Sequence, residues 1–472
     1  MHSALMKAAI LSISLLTVMA SAAVSPALAR IRQAFPGADI TLIKLVLTLP
    51  SLVIIPFSLV SGWLLKFFKK KQVLLAGLVI YLVTGIGAGF AKTIGQLLFV
   101  RALFGIGVGL IVPLSTALIA DFFSGEERTK MMGLSGSVSH FGGVIFTLLA
   151  GWLACVSWRL AFGVYGLTLI VMLMVIFWVP EPESERKGGM VKGRLPGGVY
   201  LCAVLGALMM VAFYAAPTNL AMFIENERQM YTSTQPLFKN RQELIEHLKT
   251  GTISEVTRKS FAKQGIKLSS DARLSVKEPG KLWVITDKSV KYLVRREPDR
   301  LVVLKERLGR PGIAGYFLST MTIVGVVSGA ILALLVKIFR GFLAAVGIIS
   351  MGLGYFILGS ATNLLTVLIA MLCIGFSSGV LMPLLLLRVA KITPSHLRTF
   401  GMAVVSIGVY LGQFLSPLVL KGTTIVLKEI DPFRAQFYSL AFFLGLAAVI
   451  ATVSGMRSLK TGFHIETSGL RH

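Results

Sequence analysis

The chain has 472 residues, 55% of them hydrophobic and 14% charged, with a formal net charge of +26 at pH 7 and a mean hydropathy of +0.80. A soluble globular chain carries about 25% charged residues, so this composition excludes an ordinary soluble enzyme. The surplus Lys and Arg would point to nucleic acid in a soluble protein, but here they fall in short breaks between apolar runs, where anionic lipid headgroups are the expected counterpart and nucleic acid is not.

About 20 mostly apolar residues cross the ~30 Å hydrocarbon layer as a helix. The first such run is predicted near 4–29. Lys7, the apolar stretch 8–20 and the small residues Ala27 and Ala29 carry the pattern of a cleavable signal. The run is longer than a usual signal core, however, and the correspondence between the two halves needs it as the first span. Further spans are predicted near 41–65, 72–91, 95–120, 131–153 and 160–179. A charged loop at 181–194 comes next, and then spans near 198–224, 312–336, 342–360, 363–389, 399–421 and 433–456. The fold class is an all-α membrane protein with twelve transmembrane helices in two pseudo-symmetric six-helix bundles. The bundles are assigned to 1–180 and to 198–225 with 311–457, joined by a central loop at 181–197 and ending in a tail at 458–472.

With the N-terminus inside, the inner loops hold Lys66, Lys69, Lys70, Lys71, Arg128, Lys130, Arg186, Lys187, Lys192, Arg194, Lys337, Arg340, Lys391 and Arg398, while the outer loops are poorer in cations. The positive-inside rule therefore predicts a multi-pass protein of the plasma (inner) membrane with both termini cytoplasmic.

The two halves repeat each other. Gly105, Gly109, Pro113, Arg128 and Gly142 correspond to Gly375, Gly379, Pro383, Arg398 and Gly412, since 375 − 105 and 412 − 142 both give 270. Near the first span, Pro26, Leu28 and Ala29 resemble Pro217, Leu220 and Ala221, and 217 − 26 gives 191. The difference of 79 measures an insertion between the seventh and eighth spans, where composition turns soluble at 226–310. Small residues at i and i+4 let helices approach closely in lipid, and Pro113 and Pro383 kink their helices where neighbours re-satisfy the freed carbonyl.

Within the insertion, helices are predicted at 241–249 and from a Ser254 cap to Gly265, and strands at 281–286, 291–296 and 301–305 between turn signals. This is a small α+β module expected outside the cytoplasm. No nucleophile with its base, no metal-ligand spacing and no phosphate loop occurs in it, so neither catalysis nor a cofactor is predicted. Cys155, Cys202 and Cys373 lie singly, without the spacing of a metal site or a disulfide frame.

Gly62 followed by Lys66 and Lys69 to Lys71, the run Arg101, Gly105, Gly107 and Gly109, and the polar turn from Asp121 to Arg128 with Gly133 resemble motifs of the major facilitator superfamily, and within it the twelve-span drug and metabolite exporters. The resemblance covers nearly everything outside the insertion. It implies a central cavity opened alternately to each side by rocking of the halves. The chain departs from the pattern in having Lys66 where the loop signature carries an acid, and in having Gly142, Gly143 and Gly151 without an adjoining Pro. Asp121 is then expected to pair with the cluster from Lys66 to Lys71, with Arg128 completing a cytoplasmic gate.

Ionisable groups inside a span are costly and face a partner or a wet cavity. Arg101 and His140 are the candidates, each against a bland reading in which Arg101 braces neighbouring helices and His140 packs on a carbonyl. Tyr214, Asn219, Tyr410 and Gln413 join them because the resemblance implies that their spans line the cavity. No carboxylate falls clearly within a span, so a buried acid relay is not predicted, while proton coupling through His140 stays open. A cavity whose charges are cationic favours neutral or anionic organic solutes. The expected protein is a monomeric secondary transporter that exports small organic molecules. The rival reading is a membrane anchor or sensor whose outer module binds a partner.

Overall fold

The computed structural model describes residues 2–182, 194–226, 228–229, 253, 255–262, 268–270, 272–278, 282–287, 290–296, 301–307, 311–361, 364–394, 397–426 and 431–460. Among the described residues, twelve helical segments are long and apolar enough to span a membrane. Spans 1 to 6 are Ala4–Ala34, Ile40–Leu64, Lys70–Phe90, Ile94–Phe122, Gly125–Val156 and Trp158–Trp178. Spans 7 to 12 are Gly197–Ile224, Gly312–Ala330, Leu332–Gly359, Leu364–Ile392, Phe400–Thr424 and Pro432–Val453. The side of the bundle that carries the start of span 1 is the near end, and the opposite side is the far end.

Local chemistry sets the boundaries. Asp39 begins span 2 by accepting the Thr41 amide at 2.6 Å, and Thr93 begins span 4 by accepting the Gln96 amide at 3.2 Å. Gly125, at φ 55, makes the sharp turn from span 4 into span 5, a conformation open to glycine at little cost. Pro26 sits in a short 3-10 stretch, Ser25–Ala27, which interrupts span 1 before the helix resumes at Leu28–Ala34. Span 1 therefore reaches five residues beyond the expected end at 29. The expected boundary between spans 8 and 9 also moves. The helix breaks at Ile331, and Leu332–Phe339 forms a separate short helix before a turn at Arg340, whose φ is 47. An unbroken apolar pattern across 312–336 concealed that break.

The close approaches between spans repeat from one half to the other. A Cβ at Gly105 would lie 2.7 Å from the Pro50 carbonyl of span 2, and one at Gly375 would meet the Met321 carbonyl of span 8. Gly109 faces the Ile54 carbonyl and Gly379 the Gly325 carbonyl. Here 321 − 50 and 325 − 54 both give 271. Gly142 packs on Leu15 of span 1 as Gly412 packs on Ala207 of span 7, and 207 − 15 gives 192. The pairing of spans 4 with 2 and 5 with 1 thus recurs as 10 with 8 and 11 with 7. Helices in lipid gain no hydrophobic drive from meeting each other, so backbone contact at glycines carries the association.

The second compact unit, Met222–Arg310, is described by itself. It contains an antiparallel five-stranded sheet in the order β1-β5-β4-β3-β2, with β1 Arg228–Gln229, β2 Arg273–Glu278, β3 Leu282–Asp287, β4 Val290–Arg296 and β5 Leu301–Arg307. Trp283 pairs across with Val294 and Val276, and it is wholly buried, as are Ile285 and Phe261 of the helix Glu255–Ala262. Strands β1 and β2 were not expected. In β2 only Leu274 and Val276 stand among polar neighbours, which is a weak alternation. The expected helix at 241–249, the Ser254 cap and the stop at Gly265 lie outside the described residues.

Gly105→Ala and Gly375→Ala should each lower stability by ~1–3 kcal/mol through overpacking against backbone, whereas Gly62→Ala, which meets nothing within 4 Å, should leave it unchanged. Thermal unfolding of detergent-purified variants checks this, and an equal response of all three would contradict the packing.

Candidate functional site

At the far end, polar side chains join the first half to the second. Ser25 donates to the Pro217 carbonyl at 2.5 Å, Lys44 to Gln436 Oε1 at 3.0 Å, and Ser51 to Gln413 Oε1 at 2.9 Å. Ser319 donates to the Val144 carbonyl at 3.2 Å, and Lys421 Nζ lies 3.0 Å from Asp39 Oδ2. Hydrogen bonds from Lys421 and then Thr41 hold the Asp39 carboxyl down at about 2, below the usual carboxylate range. Gly315 meets the Thr147 carbonyl and Gly312 the Cys155 sulfur, so spans 5 and 8 touch there as well.

Spans 5 and 8 separate toward the near end. Between them His140, Phe141 and Val144 on one side and Ile323, Val326 and Val327 on the other line an apolar groove of about 560 Å³. His140 is exposed on that groove.

Arg101 occupies a different place. It is wholly buried, and its guanidinium donates to the Val46 carbonyl at 2.9 Å, Tyr165 Oη at 3.1 Å and the Ala20 carbonyl at 3.0 Å. It also lies 4.4 Å from the Phe104 ring centre. Each nitrogen position has an acceptor, so Arg101 ties span 4 to spans 1, 2 and 6. With no accessible surface here, it holds these helices together, the bracing alternative raised from the sequence. Tyr81 adds to the same cluster by donating to the Leu16 carbonyl, and Tyr355 in the second half likewise donates to the Ala212 carbonyl.

Of the remaining candidates, Gln413 lies at a contact of the halves. Tyr214 is buried. Asn219 is wholly buried with Nδ2 on the Ala215 carbonyl, and its Oδ1 has no partner. Tyr410 is half-buried. Gln413 accepts from Ser51 and sets its amide nitrogen 3.9 Å from Met210 Sδ.

At the near end Asp121 does pair with the lysine cluster, but through Lys70, at 2.7 Å, rather than Lys66. Lys66 and Arg128 are exposed, and Lys7 meets Glu127 at 2.6 Å. The three cysteines are free, and among the described residues no group of three or more His, Cys, Asp or Glu residues is placed to hold a metal ion.

The sequence reading missed Lys44. It is 3% exposed in the far part of span 2 and its described hydrogen-bond partner is a neutral amide. One lysine inside the run from Ile40 to Pro50 was the available signal.

A family model described as Major Facilitator Superfamily matches residues 10–240. The multidrug transporter protein MdtP of Bacillus subtilis (strain 168) is 26% identical over 167 residues, 35% of this chain and 30% of that protein. Multidrug resistance protein 3 of the same organism is 30% identical over 130 residues, 27% of this chain and 25% of that protein. The quinolone resistance protein NorA of Staphylococcus aureus is 26% identical over 157 residues, 33% of this chain and 40% of that protein. The chain thus spans less than half the length of these curated relatives. Among solved structures, a D-xylose-proton symporter superposes with a TM-score of 0.62 at 15% identity, covering 94% of this chain and 97% of that one. A mutant of the nucleoside transporter NupG gives 0.63 at 11%, covering 95% and 99%. These two likenesses show the fold.

The Asp39 pair generates a pH prediction. A carboxyl held below its unfolded value of 3.8 stabilises the fold above that value, and the contribution disappears as pH falls from about 4 through about 2. Asp39→Asn should flatten the acid limb of the melting-temperature profile in that window by lowering the melting temperature at pH 7, where the parent holds the full contribution, and the two proteins should converge below about pH 2; a limb identical to the parent would refute the pairing.

Proposed function

The chain belongs to the major facilitator superfamily, a multi-pass membrane fold, and from that premise we propose that it is a secondary transporter exporting small organic molecules by alternating access. The observation that carries the reading is the pairing of two repeated sets of close helix contacts with polar links that bridge the sets at the far end. Repeated halves joined at one end are the arrangement that rocking requires. The near end then opens to the cytoplasm, and the far end, closed here, is the outer mouth.

Export is supported by the names of the matching proteins, which are multidrug and quinolone resistance proteins. Tyr214, Asn219, Tyr410 and Gln413 are the proposed cavity residues, with neutral or anionic solutes favoured because the charged groups buried among the described residues of the spans, Lys44 and Arg101, are basic. The protein acts as a monomer in the plasma membrane with both termini cytoplasmic. Residues 226–310 come after an odd number of spans, so the module is extracytoplasmic. At the inner face the Lys70–Asp121 pair holds span 3 to span 4 and serves as part of the gate.

A second reading, an anchor or sensor working through the module, is favoured by the compactness of Met222–Arg310 as a unit of its own. Uptake and efflux in proteoliposomes against a metabolite and drug panel, with and without an imposed pH gradient, separates the two readings and reports proton coupling. Transport should survive deletion of 226–310. A correctly inserted deletion protein that has lost all transport would favour the sensor.

Asp121→Lys should slow transport roughly tenfold, equivalent to ~1.4 kcal/mol on the barrier, at unchanged membrane yield, and Lys70→Asp combined with Asp121→Lys should restore much of the rate. Transport by the single variant at the parental rate would remove Asp121 from the gate.

A further inference from the structure

Lys44 poses a problem of charge. Its ammonium is 3% exposed, and its described hydrogen bond goes to the neutral oxygen of Gln436 at 3.0 Å. A second cation stands close by: the Lys44 nitrogen lies 5.5 Å and the Arg32 guanidinium 6.0 Å from the centre of the same Phe433 ring. Arg32 Nη1 is buried without a hydrogen-bond partner among the described residues. Among the described residues, the carboxylates Asp39 and Asp431 at this end make their hydrogen bonds elsewhere. Asp39 takes Lys421 and the Thr41 amide, and Asp431 Oδ1 takes the Phe433 and Arg434 amides at the start of span 12. A ring face offsets part of the cost of a buried lysine beside a half-buried arginine, but a buried charge is normally paired with an opposite one.

We propose that Arg32 and Lys44 form an anion-receiving site at the far end, where a carboxylate or phosphate group replaces the Gln436 oxygen on Lys44 as the halves part. Gln436 stands in for the anion while that end is closed. The Phe433 face selects the body attached to the charged head, favouring an organic acid whose body is flat or apolar. The proposal rests on the alternating-access reading for how the site opens, and it narrows the solute to an organic anion. Arg32 closes span 1, Lys44 lies in span 2 and Gln436 in span 12, so the site belongs to both halves and is complete only while they are in contact or beginning to separate.

The test uses the full chain purified in detergent, with benzoate, inorganic phosphate and the neutral isostere benzamide as probes in titration calorimetry. Benzoate should bind about tenfold or more tightly than benzamide, the discrimination expected from one charge-assisted hydrogen bond. Lys44→Met should remove that preference, Lys44→Arg should retain most of it, and Arg32→Gln should weaken it. Gln436→Glu is the sharper variant: it supplies a permanent internal carboxylate, so it should fold at least as stably as the parent and yet lose benzoate and phosphate binding.

Equal binding of benzoate and benzamide, no anion binding by the parent, or undiminished anion binding by Gln436→Glu would each overturn the site. Anion binding that depends on Lys44 in a protein that moves no solute in vesicles would leave the site standing and remove the transport reading. Solute movement indifferent to Lys44→Met and Gln436→Glu would do the reverse.

Discussion

In a hydrocarbon layer every backbone amide and carbonyl must find its partner inside the protein, and helices gain nothing from apolar contact that lipid tails do not already give. That constraint governs this chain. Each span satisfies its own backbone, and association is left to places where a missing Cβ lets one helix rest on the carbonyls of another. Gly105 on Pro50, Gly109 on Ile54, Gly375 on Met321 and Gly379 on Gly325 are such places, and their repetition gives both halves the same internal frame.

Charges obey the same rule by a different means. Arg101 is tolerated at full burial because carbonyls of two helices and a tyrosine hydroxyl surround its guanidinium. The fork geometry of arginine suits this role, where a lysine would offer a single point of charge. Lys44 lacks such a set, and the contrast between the two residues separates a structural cation from one whose partner is still to be supplied. The exposed His140 is a third situation, in which the ring lines an apolar groove between spans 5 and 8.

Much of this was legible from residues alone. The spans were readable because length and apolarity in lipid tolerate little variation, and the repeat was readable because glycines that touch backbone cannot drift. The gate pair was legible to within a few residues: Asp121 meets the lysine cluster, but which lysine reaches it depends on helix rotation, which periodicity in a nearly uniform apolar helix does not encode. Arg101 was readable as a charged group in a span, with bracing as one of its two readings, but its acceptors were not, because they come from helices 55 and 81 positions away. Lys44 was overlooked since its significance lies in what does not surround it. Strand β2 failed the alternation test, and the break at Ile331 leaves no mark in a sequence that is apolar on both sides.

Two arginines carry one further consequence. Arg159, at the start of span 6, grips the Gly89 and Ala91 carbonyls that end span 3, and Arg434, near the start of span 12, grips the Gly359 and Ala361 carbonyls around the end of span 9. Their acceptors are backbone oxygens, which cannot be protonated in the physiological range. Each six-helix set is therefore clamped by contacts indifferent to acidity, while the Asp39–Lys421 link between the sets consists of two half-exposed ions and weakens as ionic strength rises. External salt would then weaken that one link of the seam while the arginine clamps hold.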